Sequence, residues 1–535
     1  MNLMATNYNL ALSIYRHSLS APQSLAVACN GKALSYSELA GEAARLAARL
    51  MQNSPWREGG RTPRVGILAS RSTDACVALL GACWAGATYV PIGLKLPEER
   101  LLTLLSLCNL SALIADEEGA KLLSEHVLAA CPPLVIHLGA APSAQPPSGA
   151  VCEVVSRDSL SVVVPSSPTQ MAADEAAYII FTSGTTGVPK GVVISAGAAR
   201  HYATMIVDFL GLRADDRALE TCELSFDFSV HNMFSTWEAG ASLHILPATR
   251  VMNAVKFARS AGLTVWNSVP SLAGMLRQVK ALAPGSLAGL RLTVFGGEQL
   301  PATTVTAWQS AAPDSTIVNL YGPTEATVFC LGQHVPERVT EPLPLTPGRD
   351  VVAIGHALPG SEAVVLDEHG KPLAEGETGE LAIAGVQLAK GYLDVAELTA
   401  ARFPEIEGKR WYRTGDLALR GRDGTFHCLG RIDNQVKVLG YRVELEEIDS
   451  HLRRVAAADV VGSVAWPQVD GMARGIVCFV GATTIDTDKI INDLKRALPP
   501  YMVPNRVIVL ANLPLNVSGK VDRRALRLLL DGGEA

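Results

Sequence analysis

Helical and strand patterns alternate along most of this sequence, and this alternation limits the possible folds more than any other feature. Such a pattern favours α/β layers around a parallel sheet. The chain has 535 residues, which is too long for one hydrophobic core, so two or more domains are expected. The sequence therefore predicts an α/β protein with a large N-terminal part and at least one smaller domain.

The pattern changes near residue 430. The stretch "GRIDNQVKVLGYRVELEEIDSHLRRV" runs from a glycine turn through a strand-like segment into a helix. The apolar face of that helix is predicted at Leu445, Ile448, Leu452 and Val455. About a hundred residues follow residue 430, enough for one small domain. A hinge near Asp433 is a hypothesis at this point, because the sequence pattern alone does not locate it.

Local signals predict individual elements. A capping box from Ser35 to Glu38 begins a helix, whose apolar face is Leu39, Ala43, Leu46 and Leu50. Short apolar runs that end at turn residues predict strands within 176–181, 262–271 and 290–300. Two proline-rich stretches, 141–150 and 336–350, are predicted to be loops.

Residues 75–94 carry no charge and are long enough to span a bilayer. They nevertheless contain three glycines and Pro91, and helix formers give way to β-formers near Thr88. A buried helix followed by a buried strand is the better interpretation. With no signal peptide pattern at the N-terminus, the protein is predicted to be soluble and cytoplasmic.

Charge and cysteine content exclude some classes of protein. The formal net charge of −6 argues against a protein that coats nucleic acid, because such proteins have a basic surface. The ten cysteines form no C-x-x-C pair and have no zinc-like spacing with histidine. We therefore expect buried thiols in a reducing compartment, without structural zinc or disulfides.

The stretch "FTSGTTGVPKGVVIS", residues 181–195, has the composition of a phosphate-binding loop, although its spacing does not match a Walker motif. Gly184 and Gly187 allow close approach of the backbone to an anion. Ser183, Thr185 and Thr186 supply hydroxyl donors. A strand that leads into such a loop favours a nucleotide site over a flexible surface loop.

Four further blocks each contain one conspicuous charged residue. They are "SFDFSVHNMF" with Asp227, "NLYGPTEATVF" with Glu325, "WYRTGD", which is predicted to end a strand at Asp416, and "LPLNVSGKVDRRAL" with Lys520. Each residue alone could be a helix cap or a surface charge. Together and in this order, the blocks resemble the core motifs of the adenylate-forming superfamily. The similarity is greatest to amino-acid adenylation domains of non-ribosomal peptide synthetases and to stand-alone D-alanine–carrier-protein ligases.

The resemblance implies a large adenylate-forming core of layered α/β subdomains, residues 1–431, and a small mobile C-terminal α+β domain, residues 432–535. It implies ATP-dependent activation of an amino acid as aminoacyl-AMP, with release of pyrophosphate. Transfer as a thioester to the phosphopantetheine arm of a carrier protein follows. No carrier motif comes after Lys520, so a carrier in trans is expected, with no nucleic-acid or membrane partner.

The resemblance also implies roles for individual residues. Lys190 belongs to the pyrophosphate loop, Thr324 contacts the α-phosphate, Glu325 holds Mg²⁺, Asp416 binds the ribose hydroxyls and Lys520 stabilises the transition state. The full set implied to bind ATP is Thr182, Ser183, Gly184, Thr185, Thr186, Gly187, Lys190, Gly296, Gly297, Glu298, Asn319, Leu320, Tyr321, Gly322, Pro323, Thr324, Asp416, Leu429, Arg431 and Lys520.

Asp227 matches the residue that pairs with a substrate α-ammonium group, which favours an α-amino acid. The implied pocket is lined by Phe228, His231, Asn267, Val294, Gly296, Leu320, Val328 and Phe329. Four of these eight residues resemble part of the pocket pattern that is linked to threonine as the substrate, whereas His231 and Phe329 do not fit that pattern. Threonine or serine is the leading prediction, and proline, alanine, D-alanine and glycine stay open.

Two other functions stay open at this point. An acyl- or aryl-CoA ligase of the same superfamily has no need for Asp227, because its substrate carries no ammonium group. A catalytically inactive binding homologue has no need for intact Glu325, Asp416 and Lys520.

Overall fold

The structure is a computed structural model. It describes residues 7–52, 56, 62–160, 167–183, 189–336, 342–438, 440–458, 460–469, 472–482, 485–515 and 521–533. The chain divides into two compact units. The first comprises Met1–Leu94, Leu105–Ile180 and Gly191–Leu429, and the second comprises Lys95–Leu104, Phe181–Lys190 and Gly430–Ala535.

Two large sheets form the framework of the first unit. In the described residues one has nine strands, with a parallel centre and antiparallel strands at both edges. In spatial order they are β16 (His356–Ala357), β15 (Leu331–Val335), β14 (Thr316–Tyr321), β13 (Leu292–Gly296), β12 (Val265–Ser268), β10 (Arg217–Glu220), β11 (Ser242–Ile245), β1 (Leu25–Cys29) and β2 (Lys32–Ser35). Parallel neighbours require crossover connections, and helices supply them here.

The other large sheet has eight strands within the described chain, and it is parallel from β8 to β7. Its order is β19 (Gly391–Tyr392), β9 (Lys190–Ser195), β8 (Ala176–Thr182), β4 (Thr88–Pro91), β3 (Arg64–Leu68), β5 (Ala112–Ala115), β6 (Leu134–His137) and β7 (Glu153–Ser156).

Smaller sheets complete the described strands. Two of these smaller sheets precede residue 432. One contains β17 (Ser361–Leu366), β18 (Thr378–Gly385), β22 (Tyr412–Arg420) and β23 (Phe426–Arg431), and the other is a two-stranded ribbon of β20 (Glu405–Ile406) and β21 (Lys409–Arg410). The second unit has β25 (Tyr441–Glu444), β24 (Gln435–Val438), β28 (Met472–Ala473) and β27 (Gln468–Val469) in one sheet, and β26 (Val461–Ala465), β29 (Ile476–Gly481) and β30 (Arg506–Leu510) in another.

The helices lie between these strands. The α-helices are α1 (Leu12–Ser20), α2 (Tyr36–Gln52), α3 (Thr73–Trp84), α4 (Glu98–Cys108), α5 (Glu117–Ala120), α6 (Glu125–Ala129), α7 (Ala196–Leu210), α8 (Phe228–Val230), α9 (Thr236–Glu238), α10 (Ala254–Ala261), α11 (Pro270–Gln278), α12 (Ala302–Ala311), α13 (Ala396–Arg402), α14 (Leu445–Ala456), α15 (Thr487–Ala497) and α16 (Arg523–Asp531). A π turn, His231–Ser235, joins α8 to α9. The 3₁₀ turns are Arg157–Ser159, Ala248–Asn253, Thr324–Ala326 and Pro500–Met502.

Most local predictions are confirmed. The capping box forms, because the Ser35 amide donates to Glu38 Oε2 at 2.8 Å and the Glu38 amide donates to Ser35 Oγ at 3.3 Å. The predicted apolar faces of α2 and α14 are buried, with Val455 partly buried. Strands β8, β12 and β13 lie within the three predicted strand regions, β8 extending one residue further, and residues 141–150 form neither helix nor strand.

The uncharged segment 75–94 is the predicted helix and strand: α3 ends at Trp84, β4 begins at Thr88, and both are buried. Within the described residues, no helix combines the length and the apolar character needed to cross a membrane. One strand prediction is wrong. The strand that contains "WYRTGD" does not end at Asp416 as predicted. It is β22, which continues to Arg420 and pairs with β18 up to Leu419.

Strands β12 and β13 have two different faces. Trp266 and Phe295 lie on one face with Trp308 of α12, at ring distances of 4.9 and 5.2 Å from it. All three are fully buried, and the Trp308 indole donates to Thr293 Oγ1 at 2.9 Å. Because side chains alternate along a strand, residues 267, 294 and 296 lie on the opposite face. The aromatic cluster therefore supports the strands from behind.

We predict that Trp308→Ala lowers the local stability of this sheet by about 3–5 kcal/mol, the usual cost of removing a buried tryptophan side chain. Native-state hydrogen exchange of the β13 amides measures the change. The matched control is Thr306→Ala on the exposed side of the same helix, which should change the opening free energy by no more than about 0.5 kcal/mol. Equal exchange in the two variants contradicts the assigned role.

Candidate active site

The loops after three parallel strands carry most of the predicted site residues of the first unit. Strand β10 ends at Glu220 and leads into the segment with Asp227, β13 ends at Gly296, and β14 ends at Tyr321. Open parallel sheets bind ligands at the carboxyl ends of their strands. The predicted residues thus gather at the edge where α/β proteins place their ligands.

Strand register places four predicted pocket residues on one face of the sheet. Asn267 pairs with Val294, and Gly296 pairs with Leu320, across parallel neighbours. Residues opposite each other in neighbouring strands, like residues two apart in one strand, point to the same face. These four residues therefore form one continuous surface.

Three buried rings form the wall next to this surface. A Cβ atom on Gly296 would lie 2.5 Å from Phe329 Cζ, so the Phe329 ring fills the space that glycine leaves. Its centroid lies 5.1 Å from that of Phe228 and 5.5 Å from that of His231. The structure therefore brings together the three aromatic residues that the sequence assigned to one pocket.

A strained turn presents Phe329 to the pocket. Thr327 and Val328 have φ angles of 54° and 70°, a left-handed conformation that β-branched residues rarely adopt. The buried Gln387 holds this turn, since its amide donates to the Phe329 carbonyl at 2.8 Å and its backbone carbonyl accepts the Thr327 hydroxyl. Gln387 was missed in the sequence, because it lies 58 positions from Phe329 in no motif.

Asp227 directly precedes α8, and the pocket residues Phe228 and His231 follow it on α8 and the π turn. Its carboxylate is partly buried. The pKa values of Tyr89, Tyr178 and Tyr202 are raised first by burial, and the negative charge of Asp227 adds to the effect. A carboxylate beside neutral phenols in a buried region favours a cationic ligand.

Tyr202 sets the tautomer of His231. Its hydroxyl lies 2.7 Å from His231 Nδ1, and burial lowers the pKa of His231 to about 3, so the imidazole is neutral. The buried hydroxyl has no other recorded partner among the described residues, so we assign it as the donor to Nδ1 and the ring proton to Nε2. Nε2 itself is buried without a hydrogen-bond partner in the described chain, and so is Asn267 Oδ1. The pocket therefore offers one donor and one acceptor.

We predict that His231 stays neutral, with its proton on Nε2, from pH 8 down to pH 5. The measurement is ¹⁵N NMR of histidine-labelled protein, with His231→Gln to assign the signal. Tyr202→Phe removes the partner of Nδ1 and should produce a mixture of the two tautomers. A wild-type imidazole that becomes charged near its ordinary pKa of about 6.5 contradicts the assignment.

Two residues predicted to bind the nucleoside have distinctive surroundings. The Tyr321 hydroxyl donates to the Asp416 carboxylate. Burial, with the adjacent Asp416 charge, raises the pKa of Tyr321, so it remains a donor and orients the carboxylate. Asn319 donates to the Ala353 carbonyl at 2.9 Å, while its buried Oδ1 has no partner among the described residues.

Other predicted residues shape the same loops. A Cβ atom on Gly322 would lie 2.2 Å from the Val328 carbonyl oxygen, so only glycine fits there. The Glu298 carboxylate accepts the backbone amide of Ser271 at 2.8 Å, at the first turn of α11. The remaining residues predicted to bind ATP in this unit are Gly297, Pro323 and Thr324 in these loops and Leu429 on β23.

Glu325 is fully buried in the 3₁₀ turn after β14, and the Tyr392 hydroxyl donates to its Oε1 at 2.8 Å. Among the described residues, no group of three or more His, Cys, Asp or Glu side chains could hold a metal. Mg²⁺ commonly needs only one or two carboxylates together with phosphate oxygens. A single oriented carboxylate beside the predicted phosphate contacts fits that mode of binding.

The second unit contains the other predicted nucleotide residues. Ser183 Oγ donates to the Arg442 carbonyl at 3.0 Å, Lys190 Nζ lies 4.0 Å from Glu444, and the Thr182 hydroxyl donates to the Lys190 carbonyl at 3.5 Å. The Arg431 guanidinium donates to both oxygens of Asp433 at 2.9 and 2.6 Å. Gly184, Thr185, Thr186, Gly187 and Lys520 lie outside the described residues.

The fold and the strand-end loops define an α/β enzyme of the adenylate-forming class. Residues 15–393 match the family model described as AMP-binding enzyme. The chain belongs to this family, and such proteins are AMP-forming ligases.

One curated relative is tyrocidine synthase 3 of Brevibacillus parabrevis, 32% identical over 515 residues. The match covers 94% of this chain but only 7% of that protein.

Two solved structures are similar over almost the whole chain. The Vibrio cholerae adenylation domain AlmE, in complex with glycyl-adenosine-5′-phosphate, has a TM-score of 0.84 and 30% identity, and 98% of each chain is covered. Holo-PA1221, a non-ribosomal peptide synthetase protein with adenylation and PCP domains, has a TM-score of 0.77 and 26% identity, with 98% of this chain and 85% of that chain covered. These similarities confirm the predicted fold class.

Proposed function

We propose that this chain activates a small α-amino acid with ATP, forming the aminoacyl adenylate and pyrophosphate, and transfers the acyl group to the phosphopantetheine thiol of a separate carrier protein. The observation that carries the proposal is the partly buried Asp227, whose charge acts on Tyr202, the hydrogen-bond partner of the pocket residue His231. AlmE, which is similar over 98% of its chain, was solved with an aminoacyl adenylate. This supports an amino acid as the substrate.

Asp227 separates this proposal from the CoA-ligase alternative. A substrate ammonium group would pair with the Asp227 carboxylate, whereas a fatty or aryl acid brings no positive charge to it. The described surroundings include three neutral phenols, Tyr89, Tyr178 and Tyr202. Next to these neutral phenols, the negative charge of Asp227 favours a cationic substrate group, which an amino acid provides.

In the adenylation step, a substrate carboxylate attacks the α-phosphorus of ATP, although both are anions. The site must therefore orient both partners and offset negative charge. Asp416, which is oriented by the Tyr321 hydroxyl, would accept hydrogen bonds from the ribose hydroxyls. Asn319 Oδ1, which has no partner among the described residues, would accept a hydrogen bond from the adenine amino group. Lys520 would bridge the substrate carboxylate and the phosphate oxygens.

Glu325 would hold Mg²⁺, with its orientation fixed by the Tyr392 hydroxyl. When bound there, the ion would neutralise phosphate charge. Thr324 precedes Glu325 in the same turn and would contact the α-phosphate. The intact Glu325 and Asp416 also favour an active enzyme over an inactive binding homologue.

The substrate side chain is proposed to carry a hydroxyl group. His231 Nε2 offers a proton and Asn267 Oδ1 offers a lone pair, and both atoms are buried without partners in the described residues. A hydroxyl accepts from the first and donates to the second. Glycine, alanine, D-alanine and proline would leave both atoms unpaired, at about 1–3 kcal/mol each. Threonine or serine therefore leads.

The carrier partner is proposed from a similar solved structure. Holo-PA1221 joins an adenylation domain to a PCP domain in one chain, and the same kind of thiol partner is proposed for this protein. The domain boundary between residues 431 and 432, with a hinge at Asp433, is part of the proposal. Rotation there would withdraw Lys520 between the two half-reactions.

We predict that Asp227→Asn lowers kcat/KM for the amino acid several hundred-fold while the KM for ATP changes little. Breaking a buried charge pair costs about 3–5 kcal/mol, because the substrate ammonium keeps its charge and loses its partner. ATP–pyrophosphate exchange over a panel of amino acids measures the effect and identifies the substrate.

The matched control for this test is Asp208→Asn, an exposed aspartate on α7, which should behave like wild type. The des-amino analogue of the best substrate should be a poor substrate. If wild type activates that analogue equally well and Asp227→Asn changes little, the amino-acid proposal fails and the CoA-ligase alternative takes its place.

We predict that Lys520→Ala slows adenylation by roughly 10²–10³-fold, the usual effect of removing one transition-state contact. ATP binding, measured by calorimetry, should be nearly retained. The control is Lys495→Ala, an exposed lysine on α15, which should keep wild-type rates. A near-wild-type exchange rate in Lys520→Ala rejects the assignment of Lys520 as the catalytic lysine.

A further inference from the structure

One side-chain pair closes the segment that builds the pocket. Glu220 is the last residue of β10, and Asn232 is the second residue of the π turn. Between them lie residues 221–231, which include Asp227, Phe228 and His231. We call Glu220 and Asn232 the clasp, because their side chains join the two ends of this segment.

The clasp has one recorded side-chain hydrogen bond and two buried atoms without partners. Asn232 Nδ2 donates to Glu220 Oε1 at 3.0 Å, and the Cys222 amide donates to the same oxygen. Glu220 Oε2 and Asn232 Oδ1 are both buried and have no partner among the described residues. Both are acceptors when Glu220 is ionised, so neither can satisfy the other.

A single proton resolves both deficits. A hydrogen on Oε2 would serve as a donor to Asn232 Oδ1, and the acid and the amide would then form a ring with two hydrogen bonds. We propose that Glu220 is protonated in the folded enzyme and that this acid–amide ring positions Asp227 and His231 in the amino-acid pocket. Glu220 is thus a positioning residue that acts through the segment 221–231.

The charged and titratable groups around the clasp are compatible with a neutral acid. Burial raises the pKa of Glu220 to about 8, and the charge of Glu223 adds to the rise. The hydrogen bonds from the Cys222 amide and from Asn232 oppose this rise in pKa but do not cancel it, and the charge of Arg71 opposes it further. The Arg71 guanidinium donates to the Thr221 carbonyl. The thiols of Cys222 and Cys76, which also face Glu220, have pKa values raised mainly by burial.

The first test observes the proton directly. Infrared spectroscopy of the substrate-free protein at pH 7 should show a protonated carboxylic C=O band that is missing from Glu220→Gln and present in the matched control Glu223→Gln. In wild type labelled with ¹³C-glutamate, that band should disappear with a midpoint near pH 8. Absence of the band overturns the proposal. That outcome is expected if Glu220 is ionised and a buried water molecule bridges Oε2 and Asn232 Oδ1.

The second test uses stability, and its sign follows from linkage. The pKa of Glu220 is about 4.5 when unfolded and about 8 when folded, so the unfolded chain releases this proton first as pH rises. The melting temperature of wild type should fall relative to Glu220→Gln between pH 4.5 and 8 and level off above pH 8. Glutamine reproduces the neutral ring and has no proton to lose. If the melting temperatures of wild type and Glu220→Gln change with pH in the same way, the proposal is contradicted.

The third test is kinetic, and only this one rests on the proposed amino-acid function. Between pH 7 and 9 the amino-acid KM of wild type should rise roughly tenfold relative to that of Glu220→Gln, since about one-tenth of Glu220 stays protonated one pH unit above its pKa. The ratio cancels titration of the substrate ammonium, and the KM for ATP should show no such change. A constant ratio contradicts the positioning role. If no amino acid is activated, the infrared and stability tests still decide the state of Glu220.

Discussion

The parallel register of β12, β13 and β14 is the constraint on which the pocket depends. It aligns Asn267 with Val294 and Gly296 with Leu320, so one face of three strands becomes a single surface. The alternate positions, Trp266 and Phe295, pack on Trp308 behind the sheet. A shift of one residue in β12 would exchange its two faces and place Trp266 in the pocket, and the same shift in β13 would place Phe295 there.

Polar atoms without partners are what distinguish this pocket from an ordinary aromatic core. His231 Nε2 and Asn267 Oδ1 are both buried without hydrogen-bond partners in the described residues, although most buried polar atoms in proteins are satisfied. In the protein without a ligand, the free-energy cost of leaving these buried atoms without hydrogen bonds falls within one region. A ligand that paired with these atoms would recover this free energy, and under the proposed function the same atoms would disfavour smaller amino acids that cannot pair with them.

The sequence predicted elements and motif residues better than it predicted the contacts that orient them. The capping box, the buried α3–β4 segment and the pocket strands follow from local periodicity, and the end of β22 was misplaced because pairing with β18 extends it. Tyr202, Gln387 and the Glu220–Asn232 pair were missed. Their contacts join residues 12 to 60 positions apart, and no local pattern encodes such pairings.

The π turn at His231–Ser235 has a consequence for how this pocket can diversify. A π turn holds one more residue than an α-helical turn, so deleting a single residue there would restore a regular helix. Each residue of an α-helix corresponds to about 100° of rotation. One codon lost in this stretch would therefore turn the side chains before it relative to those after it, and point a different set of groups at the ligand. The gene could thus reach a new selectivity in one step, without any substitution in the strands.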